Sequence, residues 1–183
     1  DAGREGWNRH QLLLGTHTDG EENSLLVVAV DLPDVETEID TRAGEFGKDT
    51  SAIALTLPHP GGEVNRARHC PQQPSLVATR PASKVAYVFD IAKAATEGPT
   101  ATPWLTLRGH GDEGFGCAWS PHTNGQLTTC ANDGTICGWD IATAKGGGIT
   151  PTYFASRGES AVADVQYSPQ CPFTICAAGD DKA

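Results

Sequence analysis

The sequence carries few of the marks of an enzyme, a membrane protein or a secreted one. No apolar run is long enough to span a bilayer as a helix. The opening stretch, DAGREGWNRHQ, lacks the charged-then-apolar layout of a signal peptide, and no Asn-X-Ser/Thr sequon occurs. The six cysteines, Cys70, Cys117, Cys130, Cys137, Cys171 and Cys176, never stand as C-x-x-C. A zinc site needs paired ligands at short spacing, so no metal or other cofactor is expected. Buried, reduced thiols of a cytosolic or nuclear protein fit this pattern better. Gly-rich phosphate loops, G-x-S-x-G and H-E-x-x-H are all missing. With no nucleophile–base pair either, no catalytic residue is expected. Basic charge is also scarce. There are 13 Lys and Arg against 23 Asp and Glu, a net charge of −10. Direct nucleic-acid binding needs a basic face, so it is not expected. An acidic protein suits basic partners, although solubility explains acidity equally well.

What is present points to strands. Strong helical periodicity is lacking, while 21 glycines and 12 prolines make turns frequent. Short apolar runs read as strands over 11–17, 24–32, 51–57, 75–80 and 84–90. The series continues over 115–120, 126–131, 135–140, 161–168 and 172–179. A chain of 183 residues, 38% hydrophobic, is ample for a real core. Many short strands with regular turns predict an all-β sandwich, barrel or propeller.

Internal repeats choose among these. CPQQPSLVATRPASKVAYVFD (70–90) aligns with SPHTNGQLTTCANDGTICGWD (120–140), and SPQCPFTICAAGDDKA (168–183) falls beneath both. Pro71, Pro121 and Pro169 coincide, as do Phe89-Asp90 with Trp139-Asp140 and Asp133 with Asp181. A unit of roughly 40–45 residues plus insertions, with Gly-His early and Trp-Asp late, is the WD40 propeller signature. The span RGHGDEGFGCAWSPHTNGQLTTCANDGTICGWDI carries it best. The predicted organisation is a first blade over 10–91 with an acidic loop over 31–49, and a linker over 92–106. A second WD repeat over 107–141 and a partial third over 150–183 follow. Within the second repeat, His110 is expected to bond back to Asp133, and Thr129 to bridge to the indole of Trp139. Such a network satisfies buried polar groups, so all four residues read as structural rather than catalytic or metal-binding.

The stretch GGEVNRARHCPQ raises a separate question. Glu63 and Asn65 flank a valine at strand spacing, which directs both to one side. Exposed polar residues are the default, so a solvated strand start is the plain reading. Arg66 and Arg68 read as partners of blade carboxylates.

Several segments in order, LLLGTHTDGEENSLLVVAVDLP, GEFG, GEVNRARHCPQQPSLVATR, LRGHGDEGFGCAWSPHTNGQL and NDGTICGWDI, resemble the retinoblastoma-binding histone chaperones. These are WD40 histone-binding subunits of chromatin assembly, deacetylase, remodelling and Polycomb complexes. GEVNRAR and RGH..EG(F/Y)G are distinctive of that family rather than of WD40 repeats at large. The resemblance runs from about residue 10 to the end and implies roughly two and a half blades of a seven-bladed ring. On that reading the chain is a portion of a longer propeller. An unclosed ring would leave a bare edge, and the isolated piece should be poorly stable.

The resemblance also implies a role. The family's acidic top face holds the basic tail of histone H3 in the nucleus. Its carboxylate and amide fall on Glu63 and Asn65, and the Glu and aromatic of its KEGYG fall on Glu113 and Phe115. Carboxylates and an aromatic face suit Lys and Arg side chains. Glu113 also reads as a plain turn carboxylate beside Asp112, and Phe115 as the start of a core strand. Where the family has a further Glu, in VVEDVSW, this sequence has Ala163. The family's N-terminal helix, which with a later loop holds histone H4, is not matched, so H4 binding is carried to no residue. The competing expectation is a WD40 scaffold of another process, such as ribosome assembly or ubiquitin-ligase substrate recognition.

Overall fold

The computed structural model describes residues 6–19, 22–34 and 51–180. Most of the acidic loop expected over 31–49, the GEFG segment and Asp181 lie outside the described residues. Four sheets follow in chain order. The first has three antiparallel strands, β1 (Trp7–Gly15), β2 (Ser24–Pro33) and β3 (Ser51–Pro58), in sequential order. The second contains β4 (Val64–His69), β5 (Leu76–Pro81), β6 (Val85–Asp90) and β7 (Leu105–Arg108). The third contains β8 (Cys117–Trp119), β9 (Gln126–Cys130), β10 (Thr135–Asp140) and β12 (Tyr153–Ser156). The short β11 (Gly147–Ile149), from the insertion before β12, pairs parallel to β7 at the outer edge of the second sheet. A last pair, β13 (Val162–Tyr167) and β14 (Ile175–Gly179), is antiparallel.

These are blades of a WD40 propeller, and the described residues are all-β apart from one short helix and a 3-10 turn. Residues 10–91 contribute strands to two sheets. The repeat over 107–141 is staggered likewise: its start lies in β7, and β8, β9 and β10 belong to the next sheet. The stretch 92–106, expected as a linker, carries most of helix α1 (Ile91–Glu97), a 3-10 turn (Gly98–Thr100) and the start of β7. The helix forms because Asp90 caps it. Its carboxylate accepts from Ala92 N at 3.1 Å and Lys93 N at 3.3 Å. Lys93 and Glu97, one turn apart, pair at 3.4 Å.

Each sheet buries its faces against its neighbours. Leu25 and Leu57 of the first sheet pack with Val77 and Phe89 of the second, joined by Ala94 and Ala101. On the other face of β5, Leu76 and Ala78 join Val88, Leu105 and Leu107 against Trp119, Leu127, Cys137 and Trp139 of the third. Ala118 and Cys130 then meet Val162, Val165 and Tyr167 of the fourth. Every residue of β5 is buried, as a strand between two layers requires. Polar bonds stitch the layers as well. Trp119 Nε1 donates to the Arg68 carbonyl at 2.8 Å, and Gln72 Nε2 to that of Ser120 at 3.0 Å. The Thr128 hydroxyl meets Tyr167 OH at 2.6 Å.

The blades superpose by register. Ala67 pairs with Thr79, Cys117 with Thr129 and Val165 with Ala177, which are the same pair in three blades, 50 and then 48 residues on. Leu127, fully buried between two sheets, gives a test of this packing. Leu127→Ala lowers stability by about 2–5 kcal/mol, read as a lower midpoint in chemical denaturation.

Candidate functional site

One repeated position precedes the edge strands β4, β8 and β13, directly before β4 and β13 and four residues before β8. The carbonyl of Glu63 accepts from Ala82 N at 3.1 Å, that of Glu113 from Asn132 N at 2.8 Å, and that of Ala161 from Asp180 N at 3.0 Å. Donors and acceptors again step by 50 and 48 residues, so Glu63, Glu113 and Ala161 are equivalent. Two residues on stand Asn65, Phe115 and Ala163. Register shifts fall at Asn65 and at Ala163, between Val64 and Arg66 and between Val162 and Asp164. The plain alternation that would set Glu63 and Asn65 on one face is therefore interrupted by a bulge.

The side chains differ in their surroundings. Glu63, about a third exposed, pairs with His17 at the end of the first sheet. Asn65 keeps its Nδ2 buried with no hydrogen-bond partner among the described residues. Glu113 is half-buried in a turn where its own N–H donates to Asp112 Oδ1 at 2.8 Å. Phe115 is 42% exposed rather than sunk in the core that follows it. In the third blade both positions are alanine, so this rim has no carboxylate or aromatic there.

Both glycines of the Glu113-Gly-Phe-Gly stretch are sterically required. A Cβ on Gly114 would strike the Cys130 carbonyl and come 2.6 Å from Arg80 Nη2. A Cβ on Gly116 would strike the Cys130 thiol and come 3.2 Å from Asp164 Cα. Arg66 of one blade reaches past the next, to bond Asp164 Oδ1 of the third at 2.6 Å. Arg66 thus has a blade carboxylate as partner, while Arg68 Nη1 donates instead to the Ala67 carbonyl at 2.9 Å.

Beneath the rim lies the network centred on His110. Trp139 Nε1 donates to Thr129 Oγ1 at 2.9 Å, and Thr129 Oγ1 meets His110 Nε2 at 2.7 Å. The other ring nitrogen meets Thr135 Oγ1 at 2.7 Å rather than Asp133, whose Oδ1 is 4.0 Å away. Thr135, which the sequence reading passes over, donates to Asp133 Oδ1 at 2.6 Å. Asp133 also accepts from Gly111 N, tying the tight turn to the loop that bears Glu113. The protons follow by elimination. A carboxylate only accepts, so Thr135 donates to it and must accept from His110 Nδ1–H. The neutral ring then accepts at Nε2 from Thr129.

Burial, helped by the charge of Arg80 and opposed by that of Asp133, pushes His110 down to about 4. Asp133 stays below the ordinary carboxylate range: burial opposes ionisation, but the bonds from Thr135 and Gly111 outweigh it. Thiols Cys117, Cys130 and Cys137 are pushed up by burial, to about 12, 11 and 11. They remain protonated and unreactive near neutrality. No group of three or more His, Cys, Asp or Glu among the described residues could hold a metal ion. No helix among them is long and apolar enough to cross a membrane.

Comparison with known proteins adds the family. A scan against protein-family models finds no match. Among curated proteins, "Histone acetyltransferase type B subunit 2" of Schizosaccharomyces pombe is 37% identical over 186 aligned positions, covering 93% of this chain. The chain belongs to the retinoblastoma-binding WD40 histone chaperone family. It spans 43% of that relative's length.

Two histidines make the blades of this family member acid-sensitive. His59, bonded through Nε2 to Thr79 Oγ1 at 2.8 Å, is likewise pushed by burial down to about 4, with the Gly62 backbone opposing. Both rings are neutral when folded and take up protons more readily when unfolded. Stability is therefore full above about pH 6.5 and falls as pH drops from there toward 4. Between pH 7 and pH 5 the loss is on the order of 1–2 kcal/mol per ring, visible as a lower thermal midpoint. Thr135→Val, which strands His110 Nδ1–H and removes one of the bonds to Asp133, costs a further 1–3 kcal/mol or so.

Proposed function

We propose that this chain is a non-catalytic scaffold that recognises the basic N-terminal tail of histone H3 on its acidic rim. On this reading it works in the nucleus, within chromatin assembly, remodelling, deacetylase or Polycomb-type complexes. The observation that carries the proposal is the equivalence of Glu63 and Glu113, both held by the same backbone bond ahead of the edge strands of neighbouring blades. Two carboxylates repeated at one blade spacing suit successive cations along an extended peptide. The exposed ring of Phe115 offers a face for one of those cations. Asn65 belongs to the same rim and adds a polar group there without charge. The printed name of the fission-yeast relative, a histone acetyltransferase subunit, agrees with a histone as the basic partner. His110, Thr129, Asp133 and Trp139 hold the second blade together and take no part in contact.

An unmodified H3 N-terminal peptide, titrated by fluorescence anisotropy into the full-length parent protein, tests this. Each of Glu63→Gln and Glu113→Gln weakens binding roughly 10-fold or more, the loss of one charge-assisted bond. Wild-type affinity falls as salt rises. Equal binding by both variants would return the chain to a general scaffold for some other partner.

A further inference from the structure

Arg80 is the largest unexplained feature of the interior. It is fully buried, and its Nε, Nη1 and Nη2 have no hydrogen-bond partner among the described residues. It stands opposite Arg66 in the β4–β5 register. Like charges directly across a strand pair repel. Arg66 answers its charge with Asp164, but Arg80 has no such partner among the described residues. A buried guanidinium in that state is costly, so its presence calls for a reason.

The reason is what lies against it. Arg80 Nη2 sits beneath Gly114, so close that a Cβ there would come to 2.6 Å. Gly114 is the middle of the loop from His110 to Gly116. That loop bears Asp112 and Glu113, and Asp133 is bonded to its Gly111. Of these carboxylates Asp133 is near enough for its charge to act on Arg80, and Asp133 anchors the loop through Gly111. A buried cation between Asp133 and Gly114 attracts that anchor from inside, and it is better placed than a surface lysine because salt screens it little.

We propose that Arg80 is a positioning residue for Glu113 and Phe115: its guanidinium, packed under Gly114, is the internal counter-charge that holds the acidic loop in place. The role in binding rests on the H3 reading above. The role in loop order does not.

The test separates the two. Arg80→Met and Arg80→Lys are made in the full-length protein. Amide hydrogen exchange is followed over 111–116, with 135–140 as the internal control. Arg80→Met speeds exchange in the loop at least 10-fold and leaves 135–140 unchanged, and Arg80→Lys restores most of the protection. H3 peptide affinity falls about 10-fold in Arg80→Met, yet less than 2-fold further when Glu113→Gln is already present, because the two act as one unit. If Arg80→Met does not fold, Arg80→Gln is read by the same criteria. Unchanged loop exchange in a folded, uncharged variant overturns the proposal. So does faster exchange with unaltered affinity in a protein that binds the peptide. Faster loop exchange in a protein that binds no H3 peptide at all keeps the positioning role and removes the H3 reading.

Discussion

The second blade depends on one restriction, that the Asp133 carboxylate can only accept hydrogen bonds. From it follow the direction of the Thr135 hydroxyl, the tautomer of His110 and the donor role of Thr129. The final link is the indole N–H of the fully buried Trp139. Each side-chain polar atom from Asp133 Oδ1 to Trp139 Nε1 in this network has a partner, so the blade can bury a histidine, two threonines and a tryptophan together without a stranded group. The same carboxylate reaches Gly111, so the core network and the exposed loop share one anchor. Rim geometry is in this sense an extension of core chemistry.

The neighbouring blade shows what happens when the restriction is absent. By the 50-residue step, Ser83 and Val85 stand where Asp133 and Thr135 do. His59 keeps its bond to Thr79, but its Nδ1 has no partner among the described residues. One blade is fully wired and the other only half so. They are joined by apolar layers and by the Trp119 and Gln72 bonds, while Arg66 of the half-wired blade reaches past the wired one to Asp164.

Much of this was legible in the sequence. The aligned prolines, the Gly-His and Trp-Asp pairs and the apolar runs gave the blade type and most strand positions. Polar or short strands were harder to see. β4 has two arginines among its six residues, β7 and β12 have four residues each, and β11 is mostly glycine, so none carries a strong apolar signal. Helix α1 was hidden because seven residues rich in alanine look like a linker until Asp90 is seen to cap them. At the site, Glu63, Asn65, Glu113 and Phe115 were picked by resemblance. Their equivalence across blades is visible only through the backbone bonds at Ala82, Asn132 and Asp180. Thr135 and Arg80 were missed for opposite reasons. A threonine in a strand is unremarked, and an arginine in SLVATRP reads as surface until burial is known.

The central claim is that one repeated position ahead of β4 and β8 holds the carboxylates that meet a basic tail. The equivalent position ahead of β13 is Ala161. The most direct measurement is therefore a gain rather than a loss: the affinity of an H3 N-terminal peptide for Ala161→Glu, in the full-length protein, at two salt concentrations. A third carboxylate in register with Glu63 and Glu113 should tighten binding several-fold and steepen its dependence on salt. Unchanged affinity and an unchanged salt response, in a protein that remains folded, would contradict the account.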